Sequence, residues 1–270
     1  MGPSGRMKLL LRTDLAEAVI SEVLTDPDRF VPAPIKRSQA EKLLRRRAVY
    51  SFWSEAGWSE SGRSESGRKR ERLYLKLYRV RTLKDVLEEV LFGKRAVRSL
   101  RMGLEAERRG IACPVHLGAS HRLLPGRWPA RSALLMVGIP HNRDVRTVLK
   151  HELEGVSRRR FLTGLGRFVG QAHRLGLIHG DLKIRNLFVL ESDPVRLALI
   201  DFDRARFVEP GTERGLLRQS LDLRSLGRSL AGRTTASERR RLLGAYLQAR
   251  RLSRAGRGRL LRWLALQGGF

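Results

Sequence analysis

The stretch from Leu177 to Phe207, LIHGDLKIRNLFVLESDPVRLALIDFDRARF, constrains this chain more than any other. One apolar run ends on His179-Gly180-Asp181, and a second ends on Asp201-Phe202-Asp203. NLFVL and VRLALI flank the turn residues ESDP, so they read as a β-hairpin. Charged groups at the end of a buried-looking strand are costly unless they meet a partner or a ligand. The hairpin brings both ends back to the same edge, where Asp181, Asn186 and Asp201 form a set of oxygen donors.

Phosphoryl transfer from a nucleotide needs such a set. One carboxylate orients or deprotonates the attacking hydroxyl, while an amide and a second carboxylate hold Mg²⁺ on the phosphates. The reaction asks for positioning and charge neutralisation more than for covalent chemistry.

The rest of the chain divides around this segment. Residues 1–47 read as a polar, weakly helical N-terminal extension, with helical spacing in TDLAEAVISEVLTD. From residue 48 to 138 the pattern is strand-rich: AVYSFWS, LYLKLYRV, IACPVHLGASHRL and RSALLMVGI alternate aromatic and aliphatic side chains. A long helical region, TLKDVLEEVLFGKRAVRSLRMGLEAERRG, lies among them and is expected to break at Gly93 and Gly103. The stretch EAGWSESGRSESGRKRER reads as a flexible hairpin tip or a glycine-bearing lid. Residues 139–270 read as mostly helical with the one hairpin; Phe161, Leu162, Leu165, Phe168, Val169, Ala172 and Leu175 form a single helical stripe.

Composition bounds the surroundings. Fifty-five Lys and Arg against 27 Asp and Glu give a formal charge of +28, which favours anionic partners. Ten arginines and only Glu238 fall between Arg233 and Arg262, on apolar pairs that suit amphipathic helices. Such a segment lies on anionic lipid or docks on its own domain. Arg250, Arg251 and Arg254 are expected among its exposed arginines. The single cysteine, Cys113, forbids an internal disulfide and reads as a small buried hydrophobe in a reducing, cytoplasmic setting. No apolar run reaches the roughly twenty residues a membrane span needs. Stacking aromatics among basic residues and zinc ligands are both missing, so nucleic acid is not the expected partner.

HGDLKIRN followed by LIDFDRA resembles the catalytic and metal-binding loops of the protein-kinase-like superfamily, and within it the lipopolysaccharide kinases that phosphorylate heptose or Kdo sugars of the core. LYLKLYR is similar to their lysine strand, FGKRAVRSLRMGLEAERRGIACP to their arginine-rich helix, and ALLMVGIPHNRDVRTVL to their strand, hinge and following helix. The resemblance implies an α+β, two-lobed protein-kinase-like fold with a small β-rich N-terminal lobe and a larger helical C-terminal lobe. It implies ATP and Mg²⁺ as cofactors, with Asp181 as base, Lys183 near the transferred group, and Asn186 and Asp201 on the metal. Lys76 would hold the α- and β-phosphates, and Met136 would sit at the nucleotide hinge.

His179 would brace the loop, and Asp222 would anchor it or act as a helix N-terminal carboxylate. The family's helix glutamate falls near Ser99, leaving Glu88, Glu89, Glu105 and Glu107 as substitutes to pair with Lys76. The implied activity is phosphorylation of an anionic glycolipid or sugar acceptor at the cytoplasmic face of the inner membrane, with peripheral contact to anionic lipid. A small-molecule or protein kinase of the same fold, or a non-catalytic nucleotide-binding module, are the alternatives.

Overall fold

The computed structural model describes residues 7–11, 24, 40–44, 47–53, 72–79, 95–122, 131–139 and 143–268. The chain divides into two compact units: Met1–Leu104 with Pro114–Gly138, and Glu105–Cys113 with Ile139–Phe270.

The first unit is built on an antiparallel sheet of six strands: β1 (Met7–Leu11), β2 (Ala40–Leu44), β3 (Arg47–Trp53), β4 (Arg72–Arg79), β5 (His116–Arg122) and β6 (Arg131–Val137). Their spatial order is β1-β5-β6-β4-β3-β2. The alternation in LYLKLYR puts Leu73, Leu75 and Leu77 on one face of β4 and Tyr74, Lys76 and Tyr78 on the other. Helix α1 (Arg95–Arg108) covers this second face: Ala96 and Leu100 pack with Tyr78, Ala119 and Leu134. Burying each large side chain of that cluster contributes about 1.5–3 kcal/mol.

Two expectations are corrected here. The leading segment is not simply helical, because β1 and β2 occupy the two edges of the sheet; of TDLAEAVISEVLTD only Leu24 lies within the described residues, and it is helical and buried. Gly103 does not interrupt α1, which runs through it. It makes room instead: a Cβ there would overlap the His116 imidazole. Gly93 and the SESGR repeat lie outside the described residues.

The second unit holds helices α2 (Val145–His151), α3 (Gly155–Arg174), α4 (Glu213–Leu230), α5 (Ala236–Arg250) and α6 (Arg254–Leu266). Side-chain caps fix four of the helix starts: Asp144 accepts from the Thr147 amide, Thr212 from Gly215, Thr235 from Glu238 and Ser253 from Gly256. The α3 stripe buries Phe161, Leu162, Leu165, Val169 and Ala172. Gly166 and Gly170, four residues apart on the same side, let α5 approach closely. A Cβ on Gly166 would overlap the Leu242 carbonyl oxygen, and one on Gly170 would stand 2.6 Å from that of Tyr246.

Two small ladders complete the unit. The hairpin β8 (Leu187–Ser192) and β9 (Val195–Leu199) buries Leu187, Val189, Leu197 and Leu199. Strands β7 (Leu177–Ile178) and β10 (Arg206–Phe207) pair as Ile178 with Arg206 and Leu177 with Phe207. Among the described residues no helix is long and apolar enough to cross a membrane.

Candidate active site

The two ladders explain why the apolar runs end where they do. Strand β7 and the hairpin stop short of one another, leaving residues 179–186 and 200–205 between them. Asp181, Lys183, Asn186 and Asp201 all lie in these two connections. The backbone stays tied across the gap: the Ile200 amide donates to the Asn186 carbonyl at 3.0 Å, one step beyond the Leu187–Leu199 pair. Asp201 follows directly, so the amide-bearing turn and the carboxylate leave the hairpin at the same end.

Each donor is held. Residues Ile184–Asn186 form a single 3₁₀ turn, and the Asn186 amide nitrogen donates to the Asp181 carbonyl at 2.9 Å. That bond fixes the carboxamide of a residue only 6% exposed and leaves its oxygen as the acceptor end. Lys183 forms an ion pair with the Asp181 carboxylate. Asp201 has left-handed backbone angles, φ 68° and ψ 64°, and opens the 3₁₀ turn Phe202–Arg204. Asp203, the next acid, is 2% exposed.

The loop is anchored from below by Asp222, which lies in the middle of α4 and not at its N-terminus. Its Oδ2 accepts from the His179 amide at 2.6 Å, and its Oδ1 from the Gly180 amide at 2.8 Å. The His179 ring reaches the other connection, donating from Nε2 to the Ile200 carbonyl at 2.9 Å. A carbonyl can only accept, so this bond sets the proton on Nε2. Gly180 has φ 76°, and a Cβ there would lie 2.6 Å from the Arg204 carbonyl oxygen.

Beneath Asp222 runs a buried polar chain that sequence reading missed. His173 Nε2 lies 3.5 Å from Asp222 Oδ2, and its Nδ1 is 2.9 Å from the Tyr246 hydroxyl. Gln219 donates to the His173 carbonyl and accepts from Arg250 Nε at 3.0 Å. Burial raises the Tyr246 phenol and lowers the Arg250 guanidinium from their ordinary ranges. Arg250 is therefore no surface arginine. At 4% exposure it is a structural cation, whereas Arg251 and Arg254 are exposed as expected. A histidine on an apolar helical stripe was the one visible signal.

Arg109 closes the segment from its ends. It donates to the Leu175 carbonyl at 2.6 Å, and its guanidinium stacks 4.3 Å from the Phe207 ring. Glu105 holds Arg109 at 2.5 Å and Arg108 at 2.7 Å, and these bonds lower its carboxyl to about 2. That carboxylate is thus engaged by two arginines; Glu88 and Glu89 lie outside the described residues. Burial, with Glu107 nearby, pushes the Cys113 thiol up to about 12, which suits an inert, half-buried residue.

Lys76 and Met136 belong to the first unit. Lys76 is 8% exposed at the centre of β4, opposite Leu134, with Nζ 5.1 Å from the Tyr78 ring centroid. Met136, opposite Tyr74 on β6, packs partly buried against the Tyr78 cluster. Ser99, where the resemblance puts a glutamate, is 1% exposed on α1.

Comparison with known proteins adds to this geometry. The sequence model of the lipopolysaccharide kinase (Kdo/WaaP) family matches residues 46–246. Among solved structures, the chain is similar to one described as WaaP in complex with acyl carrier protein, with 19% identity and a TM-score of 0.61 over 96% of this chain and 97% of that one. That likeness shows an α+β, kinase-like fold. A structure of the bifunctional kinase-methyltransferase WbdD matches at 15% identity and a TM-score of 0.37, covering 79% of this chain and 51% of that one. A search of curated proteins finds no match.

Proposed function

The chain belongs to the lipopolysaccharide kinase (Kdo/WaaP) family, and from that premise we propose that this kinase transfers the γ-phosphoryl group of ATP to a hydroxyl of a lipopolysaccharide core sugar at the cytoplasmic face of the inner membrane. The observation that supports the reading is that Asp181, Lys183, Asn186 and Asp201 lie in the two connections between the ladders, the first of which Asp222 anchors.

In this reading Asp181 orients the acceptor hydroxyl and takes its proton as the new O–P bond forms and the bond from the γ-phosphorus to ADP breaks. Lys183, ion-paired with Asp181 in the free chain, would share its ammonium with the transferred group. Asn186 and Asp201 would hold Mg²⁺, which neutralises phosphate charge when bound. Their chemistry fits: an amide oxygen oriented by its own donated bond and a half-buried carboxylate are hard oxygen donors. Among the described residues no cluster of three His, Cys, Asp or Glu side chains could cage a metal. Mg²⁺ needs no such cage, because substrate phosphates and water complete its shell. Lys76 would neutralise the α- and β-phosphates, and the Met136 backbone would meet the nucleotide base.

The +28 charge supports an anionic acceptor, and exposed Arg251, Arg254, Arg257 and Arg262 support contact with anionic lipid. Each such cation near the surface contributes about 1 kcal/mol.

The test is transfer from labelled ATP to core oligosaccharide, with protein and small alcohols as competing acceptors. Asp181→Asn should lower turnover roughly a hundredfold or more while nucleotide affinity holds. Undiminished turnover would remove Asp181 from the role, and preferred transfer to protein would replace the acceptor.

A further inference from the structure

An arginine-lined cavity lies at the far end of the hairpin in the same unit. It has a volume of about 840 Å³ and is lined by Arg159, Arg160, Arg167, Arg196 and Arg241. Its size is that of a small-molecule site. Phe168, Leu190 and Leu197 supply an apolar floor. The arginines come from three elements. Arg159, Thr163 and Arg167 are spaced by four along one side of α3, flanking its buried stripe; Arg196 lies on β9 and Arg241 on α5.

The acids available do not balance them. Arg196 is paired with Glu191 at 2.7 Å, and Arg160 lies 3.9 Å from the exposed carboxylate of Asp193. Arg159, Arg167 and Arg241 are exposed and form no ion pair among the described residues. Val156, the second residue of α3, lines the same cavity, so the positive end of the helix dipole adds to the three guanidiniums.

The cavity is not the catalytic loop seen from another side. Asp193 and Pro194, the hairpin turn, line it, whereas Asn186 and Asp201 leave the opposite end of that hairpin. Five residues of strand separate the two by roughly 16 Å.

We propose that this cavity binds a ligand carrying two phosphate groups, or one diphosphate. Guanidinium is the choice for such groups, because its planar fork donates two parallel bonds to phosphate oxygens. The charges match too: three unpaired arginines face a group of about −3 to −4. Val156, 54% exposed, and Phe168 would meet the apolar or sugar portion carrying the phosphates. The inference stands on the cavity alone and holds whether or not Asp181 transfers phosphate.

The experiment uses the full chain and inorganic pyrophosphate, in EDTA so that metal-dependent binding elsewhere is silent. Calorimetry should give one pyrophosphate per chain, and Arg159→Gln/Arg167→Gln/Arg241→Gln should weaken it about tenfold or more. All three side chains are exposed, and an unchanged melting temperature checks that the variant folds. Arg254→Gln/Arg257→Gln/Arg262→Gln removes equal charge from α6 and should leave binding within about twofold. Equal loss in both variants, or no loss in the first, overturns the proposal, since the general positive field would then hold the anion. Vesicles containing cardiolipin, a lipid with two phosphates, distinguish the sources. A component of vesicle binding that is lost with the cavity arginines and competed by pyrophosphate identifies a lipid headgroup, and vesicle binding changed by neither identifies a soluble phosphate compound.

Discussion

Replacing Asp222 by alanine tests the anchor on which the site rests. The carboxylate is 2% exposed and accepts from two backbone amides at 2.6 and 2.8 Å. His179 is 1% exposed, so its amide finds no water once the acceptor is gone; losing a bond to a charged group and orphaning the donor costs about 2–3 kcal/mol. Gly180 is exposed, so its amide can turn to water for about 0.5–1 kcal/mol. The sum is about 3 kcal/mol, a large share of a net stability of about 5–15 kcal/mol. Asp222→Asn keeps one acceptor and turns an NH₂ toward the other amide, so it should cost about half as much.

Urea denaturation followed by circular dichroism reads the first number. With a slope of about 2–3 kcal/mol/M, the midpoint should fall by roughly 1 M for alanine and 0.5 M for asparagine. Hydrogen exchange reads the second, because protection of the His179 amide should collapse in the alanine variant under native conditions. If Asp222→Ala unfolds within about 0.2 M of wild type and keeps that amide protected, the loop is not held by this carboxylate, and the account of the site's rigidity fails.

Asp201→Ala should abolish the Mg²⁺ dependence of nucleotide affinity while leaving metal-free binding unchanged; surviving Mg²⁺ dependence in a binding titration would remove Asp201 from the metal. Gly166→Ala should destabilise by several kcal/mol, because its Cβ meets the Leu242 backbone and forces α3 and α5 apart; a melting temperature within a degree of wild type would refute that packing. For Glu238, burial favours the neutral acid, but the Arg158 guanidinium at 2.6 Å and the Thr235 amide outweigh it and lower the carboxyl below its ordinary 4.5. A lowered carboxyl stabilises the fold above its unfolded value and loses that contribution as pH falls through the folded one. Wild type should therefore exceed Glu238→Gln by about 0.5–1 kcal/mol at pH 7, and the gap should close in acid; a gap that widens in acid has the wrong sign.

What sequence made visible was local and periodic. The hairpin from Leu187 to Leu199 and the α3 stripe are each written within twenty residues, in patterns that allow few alternatives. The α+β, kinase-like class came instead from the resemblance that HGDLKIRN and LIDFDRA carry. Strands β1 and β2 were not legible, because MKLLL and AEKLL are short and gain their structure from partners elsewhere: β1 pairs with β5 more than a hundred residues on. Asp222 was open for the same reason. Forty-three residues separate it from His179, and only the fold decides between a loop anchor and a helix-start charge. Arg250 misled because charge reads as surface, whereas its hydrogen bond to Gln219 makes it part of the support under the loop.

The two unusual backbone positions in the gap have a common cause. Gly180 and Asp201 both have positive φ, on opposite sides of the site. At 180 the chain passes so close to the Arg204 carbonyl that no side chain fits, and glycine is there. At 201 the same solution would remove the carboxylate, so aspartate accepts left-handed geometry at a cost of about 1–2 kcal/mol. Such a residue persists only where its neighbours over-determine its place. Here the β7–β10 pair, the Ile200–Asn186 bond and the His179–Ile200 bond fix both ends of its connection. Asp201→Gly and Asp201→Ala both lose the carboxylate and with it metal-dependent nucleotide binding, but only glycine relieves the left-handed backbone, so the glycine variant should be the more stable of the two by a few tenths to about 1 kcal/mol. A glycine variant no more stable than the alanine variant in urea would mean that the backbone at 201 stores no strain.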